Sequence, residues 1–248
     1  MSALVPPTSD AAAGIVLQAY LLGTVDFDAA LGLQRQLAYH VAGDRARAAL
    51  VLCEHPPVIT VGRHGSRAHI LYEPEELRAL RWRVRWVNRG GGCLLHLPGQ
   101  MAVYPILPLD RLGLGLRDYL DRLRQVILDV LADFSVPAAL APDGATVNVG
   151  ARPVAQLGVA VRDWVSYYGA AFNIDPDLEP LRRVRTGPGA EPMTSLARER
   201  RGPLRAALVR ERLLEHFASR FGFGRVSVFF HHPALGARSA SGAVASPS

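Results

Sequence analysis

The sequence contains no lysine, so all 28 of its basic residues are arginines. This absence excludes mechanisms that depend on a lysine amine, such as Schiff-base formation, a P-loop phosphate contact or a lysine general base. The formal net charge is nevertheless +6 at pH 7, because only 22 acidic residues oppose the arginines. Such a charge favours an acidic partner. Composition alone leaves nucleic acid, an acidic carrier protein, anionic lipid and plain solvation of the arginines open.

Cysteine and long apolar runs are scarce as well. The two cysteines, Cys53 and Cys93, are too few for a disulfide framework and are expected to be reduced thiols. No apolar run approaches the roughly 20 residues that a membrane-spanning helix needs. The N-terminal residues lack the basic start, apolar stretch and cleavage site of a secretory signal, so the sequence predicts a cytoplasmic protein that does not enter a membrane.

Hydrophobic periodicity predicts an α+β protein. Short apolar or alternating runs between turn residues predict strands, and apolar residues at three- and four-residue spacing predict helices. The predicted strands cover residues 15–22, 48–53, 58–62, 82–87, 101–107, 147–149, 154–161, 167–173 and 226–230. The predicted helices cover residues 28–40, 117–134 and 203–221, with a helical turn at 74–77. This arrangement predicts a mixed or antiparallel sheet flanked by helices.

Composition divides the chain into one domain with loose ends. Residues 1–13 are rich in proline, serine and alanine, and residues 236–248 are rich in serine, alanine and glycine, so we expect a loose N-terminus and a disordered tail. Residues 14–235 are expected to form a single domain. Within it, a loop rich in glycine and proline at 181–192 precedes a C-terminal helix–strand piece that begins near Met193.

The densest candidate site is the segment of residues 89–100, here called the glycine loop. Its sequence is Arg-Gly-Gly-Gly-Cys-Leu-Leu-His-Leu-Pro-Gly-Gln. Glycines lack side chains, so backbone N–H groups can approach a ligand closely. Arg89 could hold an anion or brace the loop, His96 could exchange a proton, and Cys93 could be a reactive thiol or a buried bystander. The glycine spacing matches neither a Walker A loop nor a dinucleotide fingerprint.

Two further glycines, Gly158 and Gly169, lie in neighbouring predicted strands. We expect them to leave space against the sheet, so that an elongated apolar ligand lies between the glycine loop and Gly158. The alternative is that both glycines mark strand bulges. No set of histidines and cysteines has the spacing of a zinc site, and no metal is expected.

Five segments occur in an order that identifies a family resemblance. They are residues 54–63 (Glu-His-Pro-Pro-Val-Ile-Thr-Val-Gly-Arg), the glycine loop, residues 154–159 (Val-Ala-Gln-Leu-Gly-Val), residues 168–173 (Tyr-Gly-Ala-Ala-Phe-Asn) and residues 193–196 (Met-Thr-Ser-Leu). Across roughly residues 18–230, the chain resembles the bacterial lipoyl(octanoyl)transferases. The resemblance implies the cofactor-transferase fold that this family shares with biotin and lipoate ligases.

The resemblance also implies an acyltransferase of lipoate biosynthesis. The family moves an octanoyl (lipoyl) group from acyl carrier protein to a lysine of lipoate-dependent enzyme subunits, through a cysteine thioester beside a lysine. It thus implies a monomer whose partners are octanoyl-acyl carrier protein and lipoyl-domain acceptor proteins, with no cofactor, nucleic acid or membrane. ATP-dependent ligases of this fold use a lysine, which this chain lacks. The implied acyl-binding residues are Arg89, Gly90, Gly91, Gly92, Cys93, Leu94, Leu95, His96, Gln156, Leu157, Gly158, Gly169, Ala170 and Ala171.

The two reacting residues of the family are replaced in this chain. Aligned on residues 193–196, the family's cysteine position is Thr186, and aligned on residues 156–158 its lysine position is Pro153. A threonine hydroxyl lacks the anionic fraction of a thiol and would need a strong base beside it. Four possibilities follow: acylation of Thr186, acylation of Cys93, direct transfer in which His96 deprotonates the incoming lysine, or a relative that binds acyl groups or carrier protein without turnover.

Overall fold

The computed structural model describes residues 12–142, 144–186, 191–200, 202 and 204–236. Most of the predicted loose N-terminus and of the predicted tail lies outside these residues. The strands are β1 (Val16–Thr24), β2 (Arg47–Glu54), β3 (Val58–Val61), β4 (Arg83–Trp86), β5 (Cys93–His96), β6 (Gln100–Ile106), β7 (Ala139–Leu140), β8 (Thr146–Val149), β9 (Arg152–Arg162), β10 (Val165–Asn173) and β11 (Val226–Phe229). The helices are α1 (Phe27–Gly43), α2 (Pro74–Ala79), α3 (Leu116–Asp133), α4 (Leu196–Arg200), α5 (Ala206–Phe221) and α6 (Pro233–Gly236).

Eight of these strands form one large mixed sheet, in the order β11-β1-β2-β6-β10-β9-β8-β7. β11, β1 and β2 run parallel to one another, and every pair from β2 to β7 is antiparallel. β4, β3 and β5 form a separate small sheet with β3 in the centre. The predicted α+β fold with a mixed sheet flanked by helices is confirmed.

Side-chain alternation along β9 separates the two faces of the large sheet. Ala155, Leu157 and Val159 belong to the main apolar core, which α3 and α5 complete. Because neighbouring strand residues point to opposite faces, Gln156 and Gly158 face the other way. α1 and the small sheet pack on that second face. The predicted site residues of β9 therefore lie between two layers of the fold.

The structure differs from the sequence prediction inside the glycine loop. Residues 93–96 of this segment form β5, which pairs antiparallel with β3 and places Cys93 opposite Val61. The run of glycines predicts an irregular loop, and the pairing with a distant strand is invisible to local sequence. Residues 181–183 of the predicted loop at 181–192 belong to a short 3-10 helix, Pro180–Arg183, and residues 187–190 of that loop lie outside the described residues.

The fold is expected to require glycine at position 169 on β10, because a Cβ at this position would overlap the backbone carbonyl of Val103 on β6. Gly169→Ala should lower the free energy of unfolding by about 1–3 kcal/mol through overpacking. Gly32 in α1 is the matched control, since a Cβ there would meet no atom within 4 Å. Gly32→Ala should raise the free energy of unfolding by up to about 1 kcal/mol. Urea unfolding measures both, and equal stability of the two variants would contradict this packing.

Candidate functional site

The side chain of Arg89 fixes the glycine loop between the two sheets. Arg89 is 3% exposed, and its Nη2 donates to the Thr60 hydroxyl at 2.7 Å and to the Thr60 carbonyl at 3.1 Å. Its Nη1 donates to the Gly90 carbonyl at 2.9 Å. The Gly90 N–H in turn donates to the Val159 carbonyl at 2.9 Å. The loop thereby joins β3 of the small sheet to β9 of the large sheet.

Arg89 is a buried cation that is solvated by protein oxygens. Burial lowers the pKa of Arg89 to about 10, because the charged form loses its hydration. The guanidinium remains protonated at neutral pH. Its hydrogen bonds to the oxygens of Thr60 and Gly90 replace part of the lost water. The sequence leaves open whether Arg89 holds an anion or braces the loop, and these contacts brace the loop.

Protein atoms fill the space between the glycine loop and Gly158, where the sequence analysis expects a ligand. A Cβ on Gly158 would lie 2.7 Å from the Gly90 carbonyl oxygen and 3.1 Å from Nη1 of Arg89. At Gly169, a Cβ would overlap the carbonyl of Val103. These contacts leave no room for a side chain at either glycine, and the acyl-binding residues expected here stay a prediction. Both glycines are needed because protein backbone and the Arg89 side chain approach them closely.

His96 is enclosed between the small sheet and α1. It is 5% exposed, its Nε2 lies 3.3 Å from the Thr60 hydroxyl, and its ring centroid lies 5.6 Å from that of Phe27. Burial lowers the pKa of His96 well below its usual value, and the nearby His55 and Arg89 lower it further. The imidazole is therefore neutral at physiological pH. The Thr60 hydroxyl, which accepts from Arg89, can donate to its Nε2.

Both thiols are buried. Cys93 is fully enclosed in the apolar cluster of the small sheet, and its Sγ donates to the Ser66 carbonyl at 3.3 Å. Burial raises the pKa of Cys93, and burial likewise raises the pKa of Cys53. A raised pKa reduces the fraction of reactive thiolate at neutral pH.

A cleft of about 450 Å³ lies beside the chain segment that carries Thr186. Its volume falls in the range of roughly 300–1,000 Å³ that is typical of small-molecule sites. Thr186, at the family's cysteine position, and Gln156, one of the implied acyl-binding residues, both line it. The lining residues are Gln156, Leu181, Arg182, Val184, Arg185, Thr186, Glu191, Pro192 and Met193.

Hydrogen bonds and an ion pair hold one wall of the cleft. The Arg185 N–H donates to the His69 carbonyl, and the Leu71 N–H donates to the Arg183 carbonyl, both at 2.8 Å. The Arg183 guanidinium donates to the two carboxylate oxygens of Glu76 at 2.8 and 2.6 Å. These hydrogen bonds to Arg183 lower the pKa of Glu76 to about 2, so the pair stays charged at neutral pH.

The third glycine of the loop allows Thr186 to approach. A Cβ on Gly92 would overlap the backbone carbonyl of Thr186. Any larger residue at this position would push the 181–186 segment away from the loop. Gly92 therefore shapes the cleft by allowing the segment that carries Thr186 to lie against the glycine loop.

Motifs from the family resemblance meet around Met193, which lines the cleft. Asn173, at the end of β10, donates from Nδ2 to the Thr194 carbonyl at 2.9 Å and to Sδ of Met193 at 3.6 Å. Gln100 donates to Oδ1 of Asn173 at 2.8 Å. The Thr194 N–H donates to the Pro153 carbonyl at 2.9 Å. Pro153, at the family's lysine position, is therefore one hydrogen bond away from the chain that lines the cleft.

The structure brings only part of the predicted site to this cleft. Cys93, Leu94, Leu95 and His96 are buried in β5, while Leu157 and Ala170 face the main core. Gln156 pairs with Ala171 across β9 and β10, and only Gln156 of this pair lines the cleft. The sequence analysis did not identify Leu181 or Val184 as lining residues, because their segment carries no pattern beyond a connecting loop. Met193 belongs to the Met-Thr-Ser-Leu motif of residues 193–196, and this motif is the sequence signal that could have identified its side of the cleft.

The described ranges contain neither a metal-binding cluster nor a membrane-spanning helix. No three side chains of histidine, cysteine, aspartate or glutamate are grouped there so that they could hold a metal ion. Within the same ranges, no helix combines the length and the apolarity needed to cross a bilayer.

Comparison with known proteins identifies relatives along most of the chain. The family model of the lipoyl protein ligase A/B catalytic domain matches residues 26–218. An octanoyltransferase of Geobacter metallireducens is 40% identical over 177 residues, which cover 71% of this chain and 80% of the relative. An octanoyltransferase of Stutzerimonas stutzeri is 38% identical over 175 residues, which cover 70% of this chain and 77% of the relative.

Solved structures agree on the fold. A lipoate-protein ligase A bound with ATP gives a TM-score of 0.67 at 14% identity, covering 89% of this chain and 92% of that chain. A bipartite lipoate protein ligase of Thermoplasma acidophilum gives a TM-score of 0.65 at 14% identity, covering 89% and 90%. Together with the family match and the curated relatives, this places the chain in the lipoyl protein ligase A/B catalytic-domain family, among its octanoyltransferases.

Proposed function

We propose that this protein transfers an octanoyl group from octanoyl-acyl carrier protein to a lysine of a lipoyl-domain acceptor protein, as a step of lipoate biosynthesis. The observation that carries the proposal is the family match over residues 26–218, which include every residue that lines the cleft. The cleft combines apolar side chains, suited to an acyl chain, with the polar groups of Thr186 and Gln156, suited to a thioester.

In this proposal the acyl group passes directly from carrier to acceptor. The nitrogen of the acceptor lysine forms a bond to the acyl carbonyl carbon, and the bond from that carbon to the carrier's sulfur breaks. The amine releases its proton to solvent and the departing thiolate takes one up, so atoms and charge balance. Because an ordinary lysine has a pKa of about 10.4, the rate should rise with pH as more of the amine loses its proton.

Three features support direct transfer over an acyl-enzyme. Thr186 lines the cleft, but its hydroxyl has no anionic fraction comparable with that of a thiol. Cys93 is buried with a raised pKa, and Pro153 replaces the lysine that would activate a thiol. His96 holds its Nε2 against Thr60 and does not line the cleft, so solvent is the proton acceptor in this route.

Two exposed arginines indicate how an acidic carrier protein would approach. Arg182 and Arg185 line the cleft and are exposed. Complementary charge accelerates encounter with an acidic partner, and salt weakens this effect. We further propose that the protein is a cytoplasmic monomer that acts on a carrier protein and a lipoyl domain.

Mass spectrometry of the acceptor tests the transfer. Purified protein incubated with octanoyl-acyl carrier protein and an apo lipoyl domain should add one octanoyl group to the acceptor. An acceptor whose target lysine is replaced by arginine is the control and should stay unmodified. Carrier binding without any mass gain, even at high protein concentration, would contradict the proposal and support the relative that binds acyl groups without turnover.

The absence of an acyl-enzyme is a second prediction. Wild-type protein mixed with octanoyl-acyl carrier protein alone should show no added octanoyl group after denaturation. Thr186→Ala should retain transfer to the lipoyl domain, because no bond to Thr186 forms. Thr186→Cys, which places a thiol at the cleft, should accumulate one octanoyl group, and Thr186→Ser should not. An octanoyl group on Thr186 or Cys93 of the wild-type protein would refute direct transfer.

Arginine substitutions test the approach of the carrier. Arg182→Ala and Arg185→Ala should each raise the KM for octanoyl-acyl carrier protein by about two- to fivefold, as expected for exposed charges. They should leave kcat unchanged, and added salt should reduce the difference. Arg212→Ala, on α5 beyond the opposite face of the large sheet, is the matched control. Equal KM values for all three variants would show that Arg182 and Arg185 do not contribute to recognition of the carrier.

A further inference from the structure

The side-chain amide of Gln156 is buried at the cleft and has no hydrogen-bond partner in the part of the chain that the structure describes. Gln156 is 4% exposed, and among the described residues neither its Nε2 nor its Oε1 has a hydrogen-bond partner. The residue lines the cleft beside Thr186. A buried amide that makes no hydrogen bonds has lost its hydration without compensation. A polar group that enters the cleft would supply what this side chain lacks.

Gln156 differs in this respect from the other buried glutamines. Gln34 accepts from the Tyr168 N–H at 2.8 Å through its Oε1, and Gln100 donates to Asn173 at 2.8 Å through its Nε2. Each of these two side chains therefore fixes a neighbouring part of the fold. Gln156 makes no such contact in the described structure and is the one of the three that lines the cleft.

The geometry of β9 explains why this amide is directed to the cleft side of the sheet. Its neighbours Ala155 and Leu157 point into the main apolar core, so Gln156 points to the opposite face. Along its two flanking strands the residue lies opposite Ala171 and Thr146. An apolar residue at this position would bury no unpaired polar atoms, so the fold does not require a glutamine here.

We propose that Gln156 binds the reacting groups of the acyl transfer. Its Nε2 donates to the acyl carbonyl oxygen of the thioester, and its Oε1 accepts an N–H from the attacking amine. A primary amide offers both a donor and an acceptor, which matches these two reactants. This inference rests on the proposed function and assigns the carbonyl-binding role of the site to one side chain.

The same contact favours the transition state over the bound thioester. Negative charge develops on the carbonyl oxygen as the amine attacks, and a hydrogen bond from Nε2 strengthens with that charge. The apolar chain then lies against Leu181, Val184 and Met193, which line the same cleft. Gln156 would thus distinguish an acyl thioester from a hydrocarbon chain of equal length.

Two ligands that differ at one position test the contact. Octanoyl-pantetheine carries the thioester carbonyl, and octyl-pantetheine is the corresponding thioether with a methylene group in its place. Calorimetry should show that wild-type protein binds the thioester about three- to tenfold more tightly, the value of one hydrogen bond. Gln156→Met, which keeps the length of the side chain, should bind both ligands equally. Its affinity for the thioether should stay within about twofold of wild type.

Gln36, which is exposed on α1, provides the matched control. Gln36→Met should keep the full preference for the thioester. Gln156→Met should also lower kcat for transfer by about 100-fold, as loss of a donor to a developing oxyanion does. Thermal unfolding should show that Gln156→Met is at least as stable as wild type, because it removes two unpartnered buried polar atoms.

The outcomes separate this inference from the proposed function. If Gln156→Met keeps the thioester preference, or weakens both ligands in parallel, Gln156 does not bind the carbonyl and the inference fails alone. Transfer activity of the wild-type protein would then still support the proposed function. If the wild-type protein binds neither ligand and transfers no octanoyl group, the proposed function fails and this inference fails with it.

Discussion

The buried guanidinium of Arg89 is the interaction on which the rest of the site depends. It lies between Gly62 and Gly158, where a Cβ on either glycine would come within 2.8 and 3.1 Å of Nη1. Its hydrogen bonds to Thr60 and Gly90 fix the glycine loop between the small sheet and β9. With the loop held there, the Gly90 carbonyl and the Arg89 side chain approach Gly158 closely, and the cleft of about 450 Å³ is lined by Gln156. Burying this charge costs hydration free energy. The hydrogen bonds of the buried guanidinium hold the loop in one defined position.

By the family resemblance, this chain lacks the cysteine and lysine that form and activate a thioester, while Gln156 and Met193, from two motifs of the same resemblance, line the cleft. Asn173, Gln100 and Met193 are joined by hydrogen bonds, and Gly92 admits the segment that carries Thr186. Of the two residues that the resemblance aligns with that pair, Thr186 lines the cleft, and Pro153 accepts a hydrogen bond from Thr194, the neighbour of the lining residue Met193. The proposed route, in which the acceptor amine attacks the carrier-bound thioester directly, needs neither member of this pair.

Local sequence predicts the parts of this fold that local physics determines. The helix expected at 117–134 is α3, and the three antiparallel strands expected after residue 146 are β8, β9 and β10. β5 escaped prediction because its partner β3 is distant in sequence and three glycines precede it. The cleft escaped prediction because its wall at Leu181 and Val184 is held by backbone bonds to residues 69–71. The close approach of Arg89 to Gly158 could not be predicted, because the direction of a buried side chain depends on tertiary packing.

The central claim is that the acyl thioester binds at Gln156 and Thr186 and not between the glycine loop and Gly158. A crystal structure of the protein with octanoyl-pantetheine measures this directly. The account predicts the acyl chain against Leu181 and the carbonyl oxygen within hydrogen-bond distance of Nε2 of Gln156. An acyl chain inserted between the glycine loop and Gly158, with the Arg89 side chain displaced, would contradict it.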